Sequence, residues 1–390
     1  MLTHEQPTFT HWQDHPDAFP RLLQAIADLA PTTDEEGQFP EQAFLELGNA
    51  GLLAVTLPDQ PLDSRGRNTP ALLGLLKRIG AANLAVGRVY EGHINALLLV
   101  QVYGTPDQQQ RWYTDVLHRQ TLFSVWNTQA HNGVRIHSLG GGRYELEGSK
   151  TFCSGAGWID RPLITGELME NGQARGWQMC VLPTAAVDET VVNNQFWQPL
   201  GMRASASFSM DFTGLIITDK DLLGKPGDYF RQPYFSGGAI RFAAVQLGGA
   251  EAMLDATREL LRSMGRTDDP FQKSRLAEMA IQIETGNLWL AQAGAHNDDW
   301  GIDIANRADL VQKMVAYANM TRAAIETICL DVMRLAERSV GARGLLKPLP
   351  FERLHRDLTM YLRQPAPDAT LTEIGQYVGQ QQTPVHTLWT

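Results

Sequence analysis

The chain has 390 residues, with 33 Lys and Arg against 43 Asp and Glu, a formal charge of −10. At about 150 residues per domain this length makes two or three domains or one composite unit, and the acidic balance without a segregated basic patch speaks against nucleic acid or anionic lipid as a partner. With 43% apolar and 19% charged residues the chain reads as globular rather than disordered. Cys153, Cys180 and Cys329 are too scattered for a disulfide framework or a cysteine zinc site. The histidines make no HExxH pair and no apolar run is long enough to cross a bilayer, so the expectation is a soluble, cytoplasmic protein with no metal and no membrane span.

From Phe19 to about His118 the apolar residues recur at helical spacing, as in Leu22, Leu23, Ile26 and Leu29, and again in Leu72, Leu75, Leu76 and Ile79. Breaks fall at Pro31, at FPEQ and at LPDQPLDSRGRNTP. Thr105 is the N-cap of another helix, with Pro106 at its first position. Between Thr121 and about Tyr229 glycines and short alternating runs such as RYELEGSKTF, GWQMCVLP and SFSMDFTGLIIT predict strands joined by turns. Helical spacing returns at Ile240, where Leu247, Ala250, Leu254, Leu261 and Met264 form one stripe. It continues through SRLAEMAIQIETGNLWLAQAGAHNDD and ANRADLVQKMVAYANMTRAAIETICLDVMRLAERSV. The expected class is α+β, mainly α, in three lobes: an N-terminal helical domain over 1–120, a central β barrel or sandwich over 121–229, and a C-terminal four-helix bundle over 230–390.

Three strings, ELEGSKTFCSGAG, LGMRASASFSMDFTGLIITDKDLLGKPG and GARGLLKPLPFERLHRDL, occur in an order and at a spacing that resemble the acyl-CoA dehydrogenase superfamily of flavoproteins. The resemblance covers nearly the whole chain. It implies FAD, with FMN open, bound in a homodimer or homotetramer. By the same resemblance Thr128 meets the pyrimidine edge of the flavin, where donors stabilise the charge that gathers on reduction. Phe152 stacks on the ring and Ser154 reaches its N5 edge, both on one side of a strand with Cys153 on the other. The pyrophosphate is met by Arg262 or Arg266 with Gln272, and by a turn that reads Arg338-Ser339-Val340-Gly341, with arginine where the family has glutamine. The plain alternative for these arginines is a solvated helix end.

The family removes a proton beside a thioester carbonyl with a glutamate, and both of its places are empty here. Pro365 stands nine residues beyond Arg356 of the Arg356-Asp357 pair, and Ile240 precedes Arg241. Asp368, three residues further on, is the remaining candidate base. The strings RVYEGHINA and FCSGAG and the length of RDLTMYLRQPAPDATLTEIG resemble instead the flavin-dependent monooxygenase branch of the superfamily, which carries a histidine near the place of Gln364. Substrate-pocket candidates are therefore Glu91, His93 and Gln364, with His355 a further histidine; Glu91 either sets the depth of the pocket, bonds a polar substrate head, or forms an ion pair with Arg88. The reading taken from the sequence is a flavin-dependent oxidoreductase acting on the CH–CH group of an acyl thioester or similar substrate, acyl-CoA among them, with electron transfer flavoprotein as acceptor. The alternatives are a two-component monooxygenase served by a flavin reductase and using reduced flavin and O2, or a flavin-binding homologue without turnover.

Overall fold

The structure, a computed structural model, describes residues 17–188, 190–301, 304, 307–363 and 366–389. The first lobe holds α1 (Ala18–Leu29), α2 (Glu41–Asn49), α3 (Thr69–Ala82), α4 (Leu84–Tyr103) and α5 (Pro106–Arg119). The α5 start is the one its residues encode: Thr105 accepts from the Gln108 N–H while the Gln108 side chain accepts from the Thr105 N–H. The Asn83 side chain caps α4 by accepting from the Ala85 and Val86 N–H groups. Apart from a row of Arg88, Glu91 and Asn95, α4 is mostly apolar and is buried along most of its length, which makes it a core helix.

The strands are β1 (Phe123–Trp126), β2 (Arg135–Gly140), β3 (Arg143–Glu147), β4 (Ser149–Cys153), β5 (Arg161–Glu170), β6 (Gln173–Val181), β7 (Val191–Asn193), β8 (Phe208–Asp211), β9 (Ile216–Thr218) and β10 (Leu222–Leu223), with a one-turn α6 (Thr184–Val187) after β6. Seven strands form one sheet and β4, β8 and β7 a second. The long β5 organises the first: β1 pairs with it in parallel at 161–164 and β2 at 167–169, so two strands share one of its edges while β6 occupies the other.

Three long helices follow, α7 (Ala239–Ser263), α8 (Pro270–Trp300) and α9 (Ala308–Gly344), then the shorter α10 (Phe351–Tyr361) and α11 (Pro367–Gln380). Within the predicted stripe Leu247, Ala250 and Leu261 are buried and Leu254 is half-buried, whereas Met264 lies past the end of α7 and is exposed. Helices α3 and α7 touch backbone to backbone at glycines: a Cβ on Gly80 would sit 2.4 Å from the Val245 carbonyl oxygen, and one on Gly248 would sit 2.0 Å from that of Lys77. Arg356 and Asp357 of α10 join the lobes. Arg356 donates to Asp34 at 2.6 Å, to Glu352 at 2.7 Å and to the Leu200 carbonyl at 3.2 Å. No helix among the described residues is long and apolar enough to cross a membrane, and no group of three or more potential metal ligands clusters among them.

Candidate functional site

The end of β1 and the end of β4 are held side by side. The Ser154 carbonyl accepts from the Trp126 indole N–H at 3.0 Å and from the Ser124 hydroxyl at 3.4 Å, and the Thr128 carbonyl accepts from the Thr151 N–H at 3.0 Å. Beneath this junction lies Lys150, whose side chain is fully buried. Its Nζ donates to the Asn127 carbonyl and to the Thr165 hydroxyl, both at 2.9 Å, and sits 5.0 Å from the centre of the Trp177 ring. Burial lowers its pKa to about 7. Nothing local signals this burial, since a lysine in an alternating strand ordinarily reads as solvent-facing. Thr128 itself is exposed, one residue beyond the tethered Asn127.

Simple strand alternation fails at residues 152–154. A bulge interrupts β4 between Lys150 and Cys153, and Phe152 takes a left-handed φ of 55°. The Ser154 N–H then bonds back to the Phe152 carbonyl at 3.0 Å. As a result Cys153 and Ser154 are both buried, and only the Phe152 ring is left 46% exposed, braced edge-on by Phe196 and Trp197 at 5.4 and 6.0 Å. Ser154 therefore does not share a face with Phe152: its Oγ lies 2.8 Å from Ser207 Oγ, which lies 2.8 Å from Ser205 Oγ. Each hydroxyl can both donate and accept, so the three form one hydrogen-bonded row from Ser205 through Ser207 to Ser154. Burial pushes the Cys153 thiol up, leaving it an inert packing group.

The two pyrophosphate stretches meet. Gln272, at the start of α8, is buried and donates from Nε2 to the Ser339 carbonyl of α9 at 3.3 Å, while its Oε1 has no partner among the described residues. Two residues on, Gly341 takes φ 59° and kinks α9. Arg266 is already held by Asp269 at 2.9 Å. Arg262 and Arg338 are exposed, and neither has an ion-pair partner among the described residues.

The substrate candidates separate. Glu91 is 3% exposed and paired with Arg88 at 2.9 Å, as the third of its sequence readings has it. His93 is fully buried: its Nε2 donates to the Leu53 carbonyl at 2.7 Å and its Nδ1 accepts the Phe123 N–H at 3.0 Å, which consumes both ring nitrogens in tying α4 to its neighbours. His355 contacts Glu337 at 2.8 Å. Asp368 lies in the first turn of α11 and is exposed. Gln364 and Pro365 lie outside the described residues. Ile240 is buried, with no carboxylate in its place. A cavity of about 600 Å³ opens between the 231–234 segment, α9 and α11, lined by Arg231, Tyr234, Asn319, Glu373 and Tyr377 among others. Glu373, five residues past Asp368 and bonded to Asn319 at 2.9 Å, is a carboxylate that reading by spacing passed over.

Comparison with known proteins follows the same lines. The family profile "Acyl-CoA dehydrogenase, N-terminal domain" matches residues 21–120 and "Acyl-CoA dehydrogenase, C-terminal domain" matches 240–362. A dibenzothiophene monooxygenase of Mycolicibacterium goodii is 25% identical over 90% of this chain and 90% of its own. The crystal structure of FMN-bound TdsC from Paenibacillus sp. A11-2 superposes with a TM-score of 0.83 at 19% identity, covering 96% of this chain and 99% of that one. Butyryl-CoA dehydrogenase from Megasphaera elsdenii superposes with a TM-score of 0.79 at 17% identity, covering 97% and 99%.

Proposed function

The chain belongs to the acyl-CoA dehydrogenase family, and from that premise we propose that it is a two-component flavin-dependent monooxygenase acting on a small organic molecule, with reduced FMN supplied by a separate reductase. The observation that carries this reading is the missing base: Ile240 fills one family position with a buried alkyl chain, and Asp368, the nearest carboxylate to the other, is exposed at the start of α11. Relatives named as dibenzothiophene monooxygenases and a structural neighbour crystallised with FMN support it.

The residues present fit a flavin. The Phe152 ring, exposed yet braced by two aromatic neighbours, offers an apolar face, and the unpaired Oε1 of Gln272 offers a buried acceptor. Bound reduced flavin supplies the two electrons with which O2 is split between product and water. Phe152 shields the ring from water, Thr128 and its neighbouring backbone hold the pyrimidine edge, and Ser154, backed by Ser207 and Ser205, holds a proton at Oγ. Arg262 holds the phosphate end from a second copy of the chain, where the free Gln272 Oε1 accepts from a hydroxyl of the flavin side chain. The exposed apolar residues Phe271, Ile281 and Leu288 along α8 supply a contact surface for that copy.

The test is to supply NADH, a flavin reductase and FMN under isotopically labelled O2, with dibenzothiophene and methanesulfinate in the substrate panel. Label in a product supports the reading. Anaerobic bleaching of the bound flavin by acyl-CoAs, with no labelled product, replaces it by dehydrogenation, for which Glu373 in the cavity is then the carboxylate to examine.

A further inference from the structure

We propose that Arg88, Arg241 and Tyr361 bind the anionic head of an organic-acid substrate, a singly charged carboxylate or sulfur oxyanion carried on an apolar chain. The proposal deepens the function above and rests on it for the chemistry, though not for the binding.

Arg88, Glu91 and Asn95 lie on one face of α4, at helical spacings of three and four. Glu91 Oε2 accepts from Arg88 at 2.9 Å, Glu91 Oε1 accepts from the Asn95 amide, and Asn95 Oδ1 accepts from Arg241 Nε of α7 at 2.5 Å. The cluster thus holds two guanidinium groups and one carboxylate. Arg88 and Glu91 cancel, and Arg241 has no carboxylate within 4.0 Å among the described residues. One positive charge is left over at a half-buried place.

The second observation comes from α10. Tyr361 is 3% exposed and its hydroxyl has no hydrogen-bond partner among the described residues. The Gln246 amide of α7 donates to the Tyr361 carbonyl at 2.9 Å and so fixes this turn of α10 against the helix that carries Arg241. Burial and the Glu91 charge hold the Tyr361 hydroxyl well above its ordinary pKa, so it stays a donor. Native proteins seldom leave a buried hydroxyl unpaired, because desolvation is then uncompensated. An unmatched guanidinium and an unmatched O–H both ask for an oxygen acceptor, and the net charge of plus one asks for a monoanion rather than a phosphate dianion.

The cluster also adjoins the flavin-site strands. A Cβ on Gly92 would lie 3.5 Å from Arg88 Nη1 and 3.2 Å from Ser124 Oγ, the hydroxyl that bonds the Ser154 carbonyl. A head group held here places the rest of its chain within reach of the segment that carries Ser154.

The experiment titrates the purified full-length protein with hexanoate, hexane-1-sulfonate and hexanamide by calorimetry, with FMN binding followed separately by fluorescence. Wild type is expected to bind at least one anion about tenfold or more tightly than the amide, the better anion naming the head group. Arg241→Gln and Tyr361→Phe should each erase most of that preference. Equal affinity for anions and amide in wild type overturns the proposal, as does an anion preference that survives Tyr361→Phe and Arg241→Gln. Should Arg241→Gln not fold, the wild-type comparison and Tyr361→Phe still decide. Anion preference without flavin binding would sink the proposed function alone; flavin binding without anion preference would sink this inference alone.

Discussion

Asp357 accepts the backbone N–H of Met202 at 2.6 Å, across the boundary between the last helices and the β strands. The contact is tight on both sides. Met202 takes a left-handed φ of 58°, and a Cβ on Gly201 would fall 2.1 Å from the Arg356 carbonyl oxygen. Together with the Arg356 bonds to Asp34 and the Leu200 carbonyl, this makes the Arg-Asp pair a latch among all three lobes, which orients the end of α10 where Tyr361 sits.

Asp357→Ala leaves a buried N–H unpaired and should cost about 2–4 kcal/mol, read as a lowered urea midpoint. Asp357→Asn keeps an acceptor and should cost less. Burial pushes the Asp357 carboxyl up to about 6 from an ordinary 3.8. The folded chain therefore binds this proton more tightly than the unfolded one, so the stability it contributes is full below about pH 4 and is lost as pH rises through about 6. A pH series in which Asp357→Asn and wild type run parallel from pH 4 to 7 would contradict this assignment.

His93 titrates with the opposite sign. Burial holds its imidazole down to about 4 from an ordinary 6.5. Its neutral form, which donates to Leu53 and accepts from Phe123, stabilises the fold above about pH 6.5, and that contribution is lost as pH falls through about 4. His93→Leu should cost about 2–4 kcal/mol by orphaning two buried backbone groups, and should flatten the acid limb of the stability profile. Substrate affinity in a folded His93→Leu protein should be unaltered; a selective loss of affinity would return this residue to the pocket.

Local rules were legible in the sequence where one residue type forces one conformation. The Thr105-Pro106 start, the change from helical to alternating texture near residue 121, and the return of helix at Ile240 are all of that kind. What was not legible depended on partners far along the chain. The stretches at Gln272 and Arg338–Gly341 were each visible, but nothing local says that Gln272 donates to Ser339. The inward turn of Ser154 follows from a left-handed Phe152, a conformation that phenylalanine's own preferences disfavour. Lys150 was missed because its burial is set by the distant Thr165 and Trp177 rather than by its neighbours. His93 looked like chemistry because a histidine offers it, whereas its ring nitrogens are spent on backbone groups some thirty and forty residues away.

Gly248→Ala should be severely destabilising for a single methyl group. The added Cβ would meet the Lys77 carbonyl at 2.0 Å and the Ala81 nitrogen at 2.7 Å, and backbone atoms of a packed helix do not yield. A loss of about 2 kcal/mol or more is expected although alanine favours the helix intrinsically by about 1 kcal/mol. Gly375→Ala on α11, where nothing among the described residues lies within 4 Å of the added Cβ, is the control and should be neutral or mildly stabilising. Equal midpoints for the two variants would show that α3 and α7 can move apart freely.

Lys150→Met separates stability from flavin binding. The substitution keeps most of the side-chain length and removes a buried charge that has hydrogen bonds but no carboxylate within 4.0 Å among the described residues. Relief of desolvation opposes the loss of two bonds, so the net change in stability at neutral pH should stay within about 1–2 kcal/mol. Because burial lowers the pKa from 10.5 to about 7, the stabilisation is present above the unfolded value and is lost as pH falls through about 7; the methionine variant should lack that slope on the alkaline side. The tether is a different matter. Lys150 alone among the described side chains reaches the Asn127 carbonyl, and Asn127 leads directly into Thr128, which the proposed site places at the pyrimidine edge. Freed of it, segment 127–129 should lose its preorganised form, and flavin affinity should fall about tenfold or more in a fluorescence titration, with the fold intact by circular dichroism. An unchanged flavin affinity would mean that Lys150 only fills the barrel, and that segment 127–129 is not part of the flavin site.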